Sequence, residues 1–171
     1  MLGIGSLAGQ SVVLDFHHRR VTVTASRREY DEPGVIVVHA KSRYGQLILV
    51  NARVGRIPIY TTLDSGAQNT VANSTLARLV ALRRRKGGSA TPGEVISVTG
   101  GRTPAEFMTL PSMTLGSITL TDVPVAFADL YTFARFDLTR QPAMLLGMDV
   151  LRAFDSVSID FGRKAVSFHM R

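Results

Sequence analysis

Apolar and polar residues alternate along most of this chain, in short runs that end at Gly, Pro, Asp or Asn. Alternation with a period of two is typical of β-strands, because successive side chains in a strand point to opposite faces. The pattern therefore predicts a mainly β protein. The predicted strands lie within residues 11–16, 19–25, 34–40, 45–54, 56–63, 93–100, 105–116, 117–128, 156–161 and 164–170.

Two segments follow the spacing of a helix instead. The first covers residues 74–84, and its apolar stripe is expected to pack on the sheet. Asn73 or Ser74 is the predicted N-cap, since either side chain accepts a backbone N–H bond at a helix start. The second helix is short and covers 150–154, with Asp149 as its cap. The stripe of the first helix consists of Leu76, Leu79 and Val80.

The start and the end of the chain resemble each other. We place residues 2–23 over residues 146–168 and allow a one-residue insertion. The match is either a true repeat or a coincidence between two segments that each contain a helix and a hairpin. The aligned residues are Leu2-Gly3 with Leu146-Gly147, Leu7 with Leu151, Asp15-Phe16 with Asp160-Phe161, and Val21 with Val166.

A true repeat divides the chain into three parts. Residues 1–26 are then the terminal hairpin of a preceding similar lobe. Residues 27–43 form a linker and a first strand, and residues 44–171 form one complete lobe. The chain would thus begin with the ending of one unit and finish with the same ending again.

The composition is that of a globular protein. Its 171 residues suffice for one domain, or for one domain and a fragment of another, and 45% hydrophobic residues are ample for a core. No apolar run approaches the roughly 18 to 20 residues of a membrane helix. The first residues also lack the basic start and long apolar run of a secretory signal. We therefore expect a soluble chain with no membrane span.

Charge and residue types exclude several functions. Cysteine is absent, which removes disulfides, thiol nucleophiles and thiolate metal sites. The four histidines follow no metal-ligand spacing, so we expect no metal and no cofactor. The net charge of +7 favours anionic partners, but the clearest basic cluster, residues 83–86, is typical of the solvated end of a helix. No aromatic residues interleave with it, which argues against nucleic-acid binding.

One acidic residue stands out among the predicted strands. Asp64 follows the strand of residues 56–63 and precedes Ser65-Gly66-Ala67, although aspartate is disfavoured in strands and rarely buried unpaired. Either this segment is a strand that ends in a turn, or it places the Asp64 carboxylate at the base of a cleft. A second motif, Leu145-Leu146-Gly147, has its glycine 83 residues after the acid (147 minus 64).

This combination resembles the bacterial retropepsin-like aspartic proteases. The resemblance covers residues 44–171 and rests on three stretches, namely residues 64–67, Thr70-Val71 and residues 145–151. It implies a mainly β fold: a closed barrel of the kind seen in one pepsin-like lobe, with one or two short helices. It also implies that the substrate is a peptide or protein. Relatives with this pattern are often exported or membrane-tethered.

The resemblance also implies roles for single residues. Asp64 is the catalytic acid, and Ser65, Gly66 and Ala67 form the loop that supports it. The Ser65 hydroxyl hydrogen-bonds to the partner loop, and Gly66 lets the backbone approach the substrate. The segment of Leu145, Leu146 and Gly147 is expected to pack beneath this loop, with its glycine making room for it.

A glycine-tipped hairpin occupies the place of the family's flap, which closes over the substrate. Its tip consists of Val98, Thr99, Gly100 and Gly101. Paired glycines suit a mobile tip, and a simple β-turn explains them equally well.

Aspartic protease chemistry needs two carboxylates that share one proton. This chain shows one such motif, so a second chain in a homodimer or a preceding lobe is expected to supply the other carboxylate. Two other functions stay open: a catalytically incompetent peptide-binding or assembly module, and a binder of anionic polymers. Six other aspartates lie in turn-like or strand-end contexts and lack the Ser/Thr-Gly signature, so none of them is expected to be the second catalytic acid. They are Asp15, Asp122, Asp129, Asp137, Asp155 and Asp160.

Overall fold

The structure, a computed structural model, describes residues 9–26, 33–43, 46–49, 52–83, 90–96 and 100–170. Within these residues it contains fourteen strands and three short helices. The strands are β1 (Gln10–Asp15), β2 (Arg20–Ala25), β3 (Val35–Arg43), β4 (Gln46–Leu49), β5 (Ala52–Val54), β6 (Ile57–Pro58), β7 (Tyr60–Leu63), β8 (Val71–Ala72), β9 (Thr91–Ile96), β10 (Arg102–Leu115), β11 (Ile118–Phe127), β12 (Ala143–Leu146), β13 (Ser156–Asp160) and β14 (Ala165–His169). The helices are α1 (Ser74–Arg83), α2 (Tyr131–Arg135) and α3 (Met148–Leu151).

The predicted mainly β fold is confirmed. Thirteen strands follow one another in the order β2-β1-β13-β14-β3-β4-β7-β12-β8-β11-β10-β5-β6, and β9 pairs with β10. The resulting sheet curves into a nearly closed barrel. Its longest hairpin, β10–β11, turns at Gly116, whose φ of +58° favours a residue without a Cβ.

The barrel encloses the main apolar core. Three side chains in the second half of β10 are fully buried, namely Leu110, Met113 and Leu115. They belong to the same cluster as Leu146 of β12 and Phe168 of β14, which are also fully buried. The core therefore lies against the strand that immediately precedes Gly147, and this strand helps to position the candidate site.

The helices agree only in part with the predictions. Helix α1 begins at Ser74, and the Asn73 side chain accepts a hydrogen bond from Leu76 N–H at 3.0 Å, so Asn73 is the cap. Helix α2 was not predicted, because five residues are too few to show a helical period and its cap, Leu130, makes no side-chain cap bond. Among the described residues, no helix is long and apolar enough to cross a membrane.

Some predicted features fall outside the described residues. Of the basic cluster, residues 84–86 lie there, and so do Leu2, Gly3 and Leu7 of the predicted repeat. The described part of the repeat forms two hairpins, β1–β2 and β13–β14, which pair with each other through β1 and β13. Strand β3 then joins these hairpins to the barrel by pairing with both β14 and β4.

Candidate active site

Asp64 lies at the end of a strand that is held firmly in place. Strand β7 runs parallel to β12, and the pairing reaches Leu63 and Leu146. The next N–H, that of Asp64, donates a hydrogen bond to the Leu146 carbonyl at 2.9 Å. The pairing of β7 with β12 therefore fixes the backbone of Asp64, while the residue itself remains partly exposed.

The Asp loop, residues 64–70, orients the carboxylate. Gly66 N–H donates to Asp64 Oδ1 at 3.1 Å, and Ala67 N–H donates to the Asp64 carbonyl at 3.1 Å. A Cβ at position 66 would lie 3.3 Å from the same Oδ1. Glycine therefore leaves room for the Asp64 carboxylate beside the backbone of the loop. These contacts fix one carboxylate oxygen on the loop.

Gly147 brings a second segment directly against this loop. A Cβ at this position would overlap the carbonyl group of Asn69 and would lie 2.8 Å from Thr70 N. Just beyond it, Met148 N–H donates to the Ala67 carbonyl at 2.9 Å. The loop and the start of α3 therefore share backbone hydrogen bonds at a separation that only glycine permits.

A buried threonine and an aspartate lock these two segments together. The Thr70 hydroxyl donates to Asp149 Oδ1 at 2.7 Å and accepts a bond from Gly147 N–H at 3.0 Å. Thr70 N–H donates to the other oxygen, Asp149 Oδ2, at 2.8 Å. Hydrogen bonds to a charged carboxylate are stronger than hydrogen bonds between neutral groups, so the Thr70–Asp149 pair contributes strongly to holding the Asp loop in place.

The capping role predicted for Asp149 is wrong. Helix α3 starts at Met148, before the predicted range, and its N-cap is Gly147 without a side-chain cap bond. Asp149 instead lies in the first turn, where its carboxylate accepts hydrogen bonds from Val150 N–H and from Thr70 N–H. The sequence shows no local signal for this contact, because its partners lie 79 residues apart.

Replacing Thr70 with valine is expected to destabilise the protein by about 2 to 3 kcal/mol. Valine keeps the shape but leaves Gly147 N–H and the Asp149 carboxylate each without one bond. Thr70→Ser is the matched control, because it keeps the hydroxyl and should cost only about 1 kcal/mol for the lost methyl group. Denaturant unfolding measures both; equal midpoints for the two variants would show that the hydroxyl contributes nothing.

Another buried polar residue anchors the far side of the loop. Asn73 is fully buried, and its side-chain amide donates to the Leu138 and Gln141 carbonyls at 2.8 and 2.6 Å. Its side-chain oxygen also accepts from Ala143 N–H at 3.2 Å. The sequence predicts this asparagine only as a candidate helix cap; its bonds to the segment before β12 join residues that are far apart in the chain.

An open cleft of about 620 Å³ borders the Asp loop at Ser65. Met148 and Arg152 line it on the same side, and residues of the β1–β2 hairpin, among them Leu14 and Asp15, line the opposite wall. Hydrogen bonds from the His18 backbone and side chain lower the pKa of Asp15 below its usual value. Ser65 is exposed toward this space.

The residues predicted to form the flap tip lie in sequence between β9 and the start of β10. Gly100 and Gly101 are exposed, and Gly100 has a φ of +83°, which favours glycine. Val98 and Thr99 lie outside the described residues. The two strands are joined near the tip by an exposed ion pair between Glu94 and Arg102 at 2.8 Å.

In the described part of the chain, no group of three or more His, Cys, Asp or Glu side chains is arranged so that it could hold a metal ion.

Comparisons with known proteins agree with this geometry. A family model described as "Aspartyl protease" matches residues 50–150, which include both the Asp loop and Gly147. Among solved structures, the fold is similar to that of a retropepsin-like aspartic protease from Rickettsia conorii, with a TM-score of 0.50 and 20% identity over 85% of this chain and 98% of the other. No sequence among the curated proteins matches.

Proposed function

Because the chain belongs to the aspartyl protease family, we propose that it is an aspartic endopeptidase in which Asp64 supplies one of two catalytic carboxylates. The observation that carries this proposal is the contact between the Asp loop and Gly147. At Gly147 a Cβ would overlap the Asn69 carbonyl, so the two segments lie in direct contact and share backbone hydrogen bonds. These contacts fix the Asp loop, whose Ser65 borders an open cleft. Such fixed placement is what a catalytic acid requires.

The proposed reaction uses two carboxylates that share one proton, because like charges so close together do not both ionise readily. One carboxylate takes a proton from a water molecule, and the other, protonated, hydrogen-bonds to the scissile carbonyl. The water oxygen bonds to the carbonyl carbon while the protonated carboxyl gives its proton to the carbonyl oxygen, which forms a tetrahedral diol. The C–N bond then breaks as the pair gives a proton to the leaving amine. One diol hydroxyl returns its proton to the pair as the new carboxyl group forms, so the pair again holds one proton.

The second carboxylate comes from a second lobe or a second chain in this proposal. Three other aspartates among the described residues accept hydrogen bonds in turns or caps: Asp15 accepts from His18, Asp160 from Ser26 and Arg163, and Asp129 from Ser74 N–H. An arrangement with two-fold symmetry would place two Asp loops face to face.

The substrate is proposed to bind as an extended strand between the Asp loop and the β9–β10 hairpin. Main-chain hydrogen bonds would then supply affinity, and pockets would select side chains. In this proposal the flap tip includes Gly100 and Gly101, whose conformational freedom suits a segment that opens and closes.

Cleavage of an unfolded protein substrate should show a bell-shaped dependence on pH, with its maximum between about pH 2 and 5. The rate falls on the alkaline side as the shared proton is lost, and on the acid side as the second carboxylate is protonated. The assay uses the natural assembly, purified from its own cells through a tag on this chain. A peptide with a hydroxyethylene group in place of the scissile amide should inhibit it, because that group mimics the diol.

A non-catalytic peptide-binding module is the second candidate, favoured by the single Asp-Ser-Gly motif of the sequence. The same assembly distinguishes the two. An assembly that binds the hydroxyethylene peptide but cleaves no substrate at any pH would support the module, and a rate that stays maximal above pH 8 would contradict a carboxylate mechanism.

A further inference from the structure

Three of the four histidines of the chain line one cavity, although they come from opposite ends of the sequence. The cavity is open, has a volume of about 320 Å³, and is not lined by any residue of the Asp loop. His17 and His18 belong to the turn between β1 and β2, and His169 is the last residue of β14. Sequence spacing does not reveal this cluster, because His17 and His169 are 152 positions apart (169 minus 17).

The register of the sheet fixes the floor of this histidine cavity. Asp15 lies opposite Ser156, and Ser156 lies opposite His169. Residues that pair in this way place their side chains on the same face of a sheet, and neighbouring strands lie about 4.8 Å apart. The three side chains therefore form a row across β1, β13 and β14, with the hydroxyl between the carboxylate and the imidazole.

Backbone hydrogen bonds hold the turn of the first hairpin against this row. Phe16 N–H and His17 N–H both donate to the Asp155 carbonyl, at 2.9 and 3.3 Å. Asp155 N–H donates in turn to the His169 carbonyl at 3.0 Å. The rings of His17 and His18 meet edge to face, with their centroids 4.7 Å apart. The main chain itself therefore brings the three imidazoles to one cavity.

The charge of the histidine cavity depends on pH. A histidine side chain ordinarily gains its positive charge as the pH falls from about 8 to 5. Above that range the ionisable groups of the lining are three neutral imidazoles and the carboxylates of Asp15 and Asp155. Below it, three positive charges outnumber the two carboxylates. The cavity therefore repels an anion at alkaline pH and attracts one at acidic pH.

Neighbouring groups favour the positive side of this balance. Asp15 is already engaged, since its Oδ2 lies 2.9 Å from His18 Nδ1 and 3.8 Å from Arg20 Nη2. Arg19 lies in the same turn and is exposed, and Asp155 is the remaining negative group. The other lining residues beside β3 and β14 carry no charge; they are Pro33, Gly34, Val35 and Met170.

We propose that the histidine cavity binds a small oxyanion, such as inorganic sulfate or phosphate, at acidic pH and releases it at neutral pH. A tetrahedral oxyanion has acceptor oxygens that point in several directions, as the donors here do. His17 and His18 lie in the turn, His169 lies at the other end of the row, and the Ser156 hydroxyl lies within the row. Hydrogen bonds from charged donors are the strong ones, so the three imidazolium groups supply most of the affinity.

The size of the cavity agrees with such a ligand. Its volume is about ten times the roughly 30 Å³ that one water molecule occupies in the liquid, which leaves room for the ion and part of its hydration shell. A bound oxyanion would contact both the β1–β2 turn and β14. It would thus join the first hairpin to the terminal hairpin of the chain in acid.

Sulfate is a suitable probe, because its own charge stays the same between about pH 5 and 8. It is added at constant ionic strength to the full chain with isotope-labelled histidine. At about pH 5 the ring resonances of His17, His18 and His169 should shift and saturate in the millimolar range. His39, the fourth histidine, is exposed on β3 and does not line the cavity, so its ring resonances should stay in place. At about pH 8 the affinity should fall about tenfold or more.

His169→Asn should bind sulfate about tenfold more weakly at acidic pH, because asparagine keeps a polar side chain and cannot gain a charge. His39→Asn is the matched control and should bind like the unmodified protein. Ser156→Ala removes a donor without changing any charge and should weaken binding about threefold. Thermal unfolding without sulfate confirms that each variant is folded. Shifts at His39 as large as at the other three histidines, equal affinity at both pH values, or full affinity in His169→Asn would overturn the proposal.

Nitrate separates recognition of a tetrahedral oxyanion from attraction of any negative charge. It is planar and carries one charge, so it should bind several-fold more weakly than sulfate; equal affinities would refute the assignment of the ligand.

The joining of the two hairpins has its own measurement. Compared with chloride at equal ionic strength, sulfate should raise the midpoint of thermal unfolding more at acidic than at alkaline pH, because a ligand stabilises the state that binds it. An equal rise at both pH values, or an undiminished rise in His169→Asn, would contradict the proposal. None of these measurements involves cleavage, so their outcome is independent of the proposed function.

Discussion

Replacing Asp64 with asparagine is expected to lower kcat/KM for peptide cleavage by about a thousandfold or more, without unfolding the protein. An amide cannot take a proton from water or share one with a second carboxylate. The side-chain oxygen of asparagine can still accept the bond that Gly66 N–H donates to Asp64, so the loop should keep its shape. Kinetics of the natural assembly and the thermal midpoint of the chain measure the two effects.

The matched control for this variant is Asp122→Asn. Asp122 is exposed and has a φ of +52°, a conformation that asparagine tolerates well, so fold and activity should both persist. Cleavage that survives in the Asp64→Asn assembly would exclude Asp64 as a catalytic acid. Loss of cleavage in both variants would instead point to a general effect of charge.

Replacing Gly147 with alanine is expected to cost about 3 kcal/mol of stability and most of the activity. The added methyl group would overlap the Asn69 carbonyl and would crowd Thr70 N, both of which are backbone atoms. The Asp loop must therefore move away from α3, and its bonds to Met148 and Asp149 lengthen. Denaturant unfolding together with the cleavage assay measures the effect.

Gly34→Ala is the control for that variant. Gly34 has a φ of +83°, and a Cβ there would meet no atom within 4 Å, so alanine should cost only the backbone strain of about 1 kcal/mol. Its activity should be unchanged. Equal losses at the two positions would mean that the close approach at Gly147 does not hold the Asp loop.

Period-two patterning was sufficient to predict most of the hairpins, because apolar and polar residues alternate along much of their strands. It predicted single strands where the structure has two, within residues 45–54 and 56–63. There the chain changes partners over a few residues: β4 pairs with β3, whereas β5 pairs with β10. Side-chain alternation does not reveal a change of partner.

The site was predictable to the extent that it is local in sequence. Asp64 and its loop form one contiguous motif, and the resemblance connected them with Gly147. The Thr70–Asp149 pair joins residues 79 positions apart, and both residue types are also common in ordinary caps and turns. Only the folded arrangement shows that this pair holds the loop.

The most direct test of the central claim, that Asp64 is half of a two-lobe site, is the mass of the species that cleaves substrate. Sedimentation of the tagged natural assembly, with the cleavage assay run on each fraction, provides it. We predict that activity travels with a species heavier than the single 18.6 kDa chain, large enough to contain two Asp loops. Activity that travels with the single chain and survives dilution would contradict the claim.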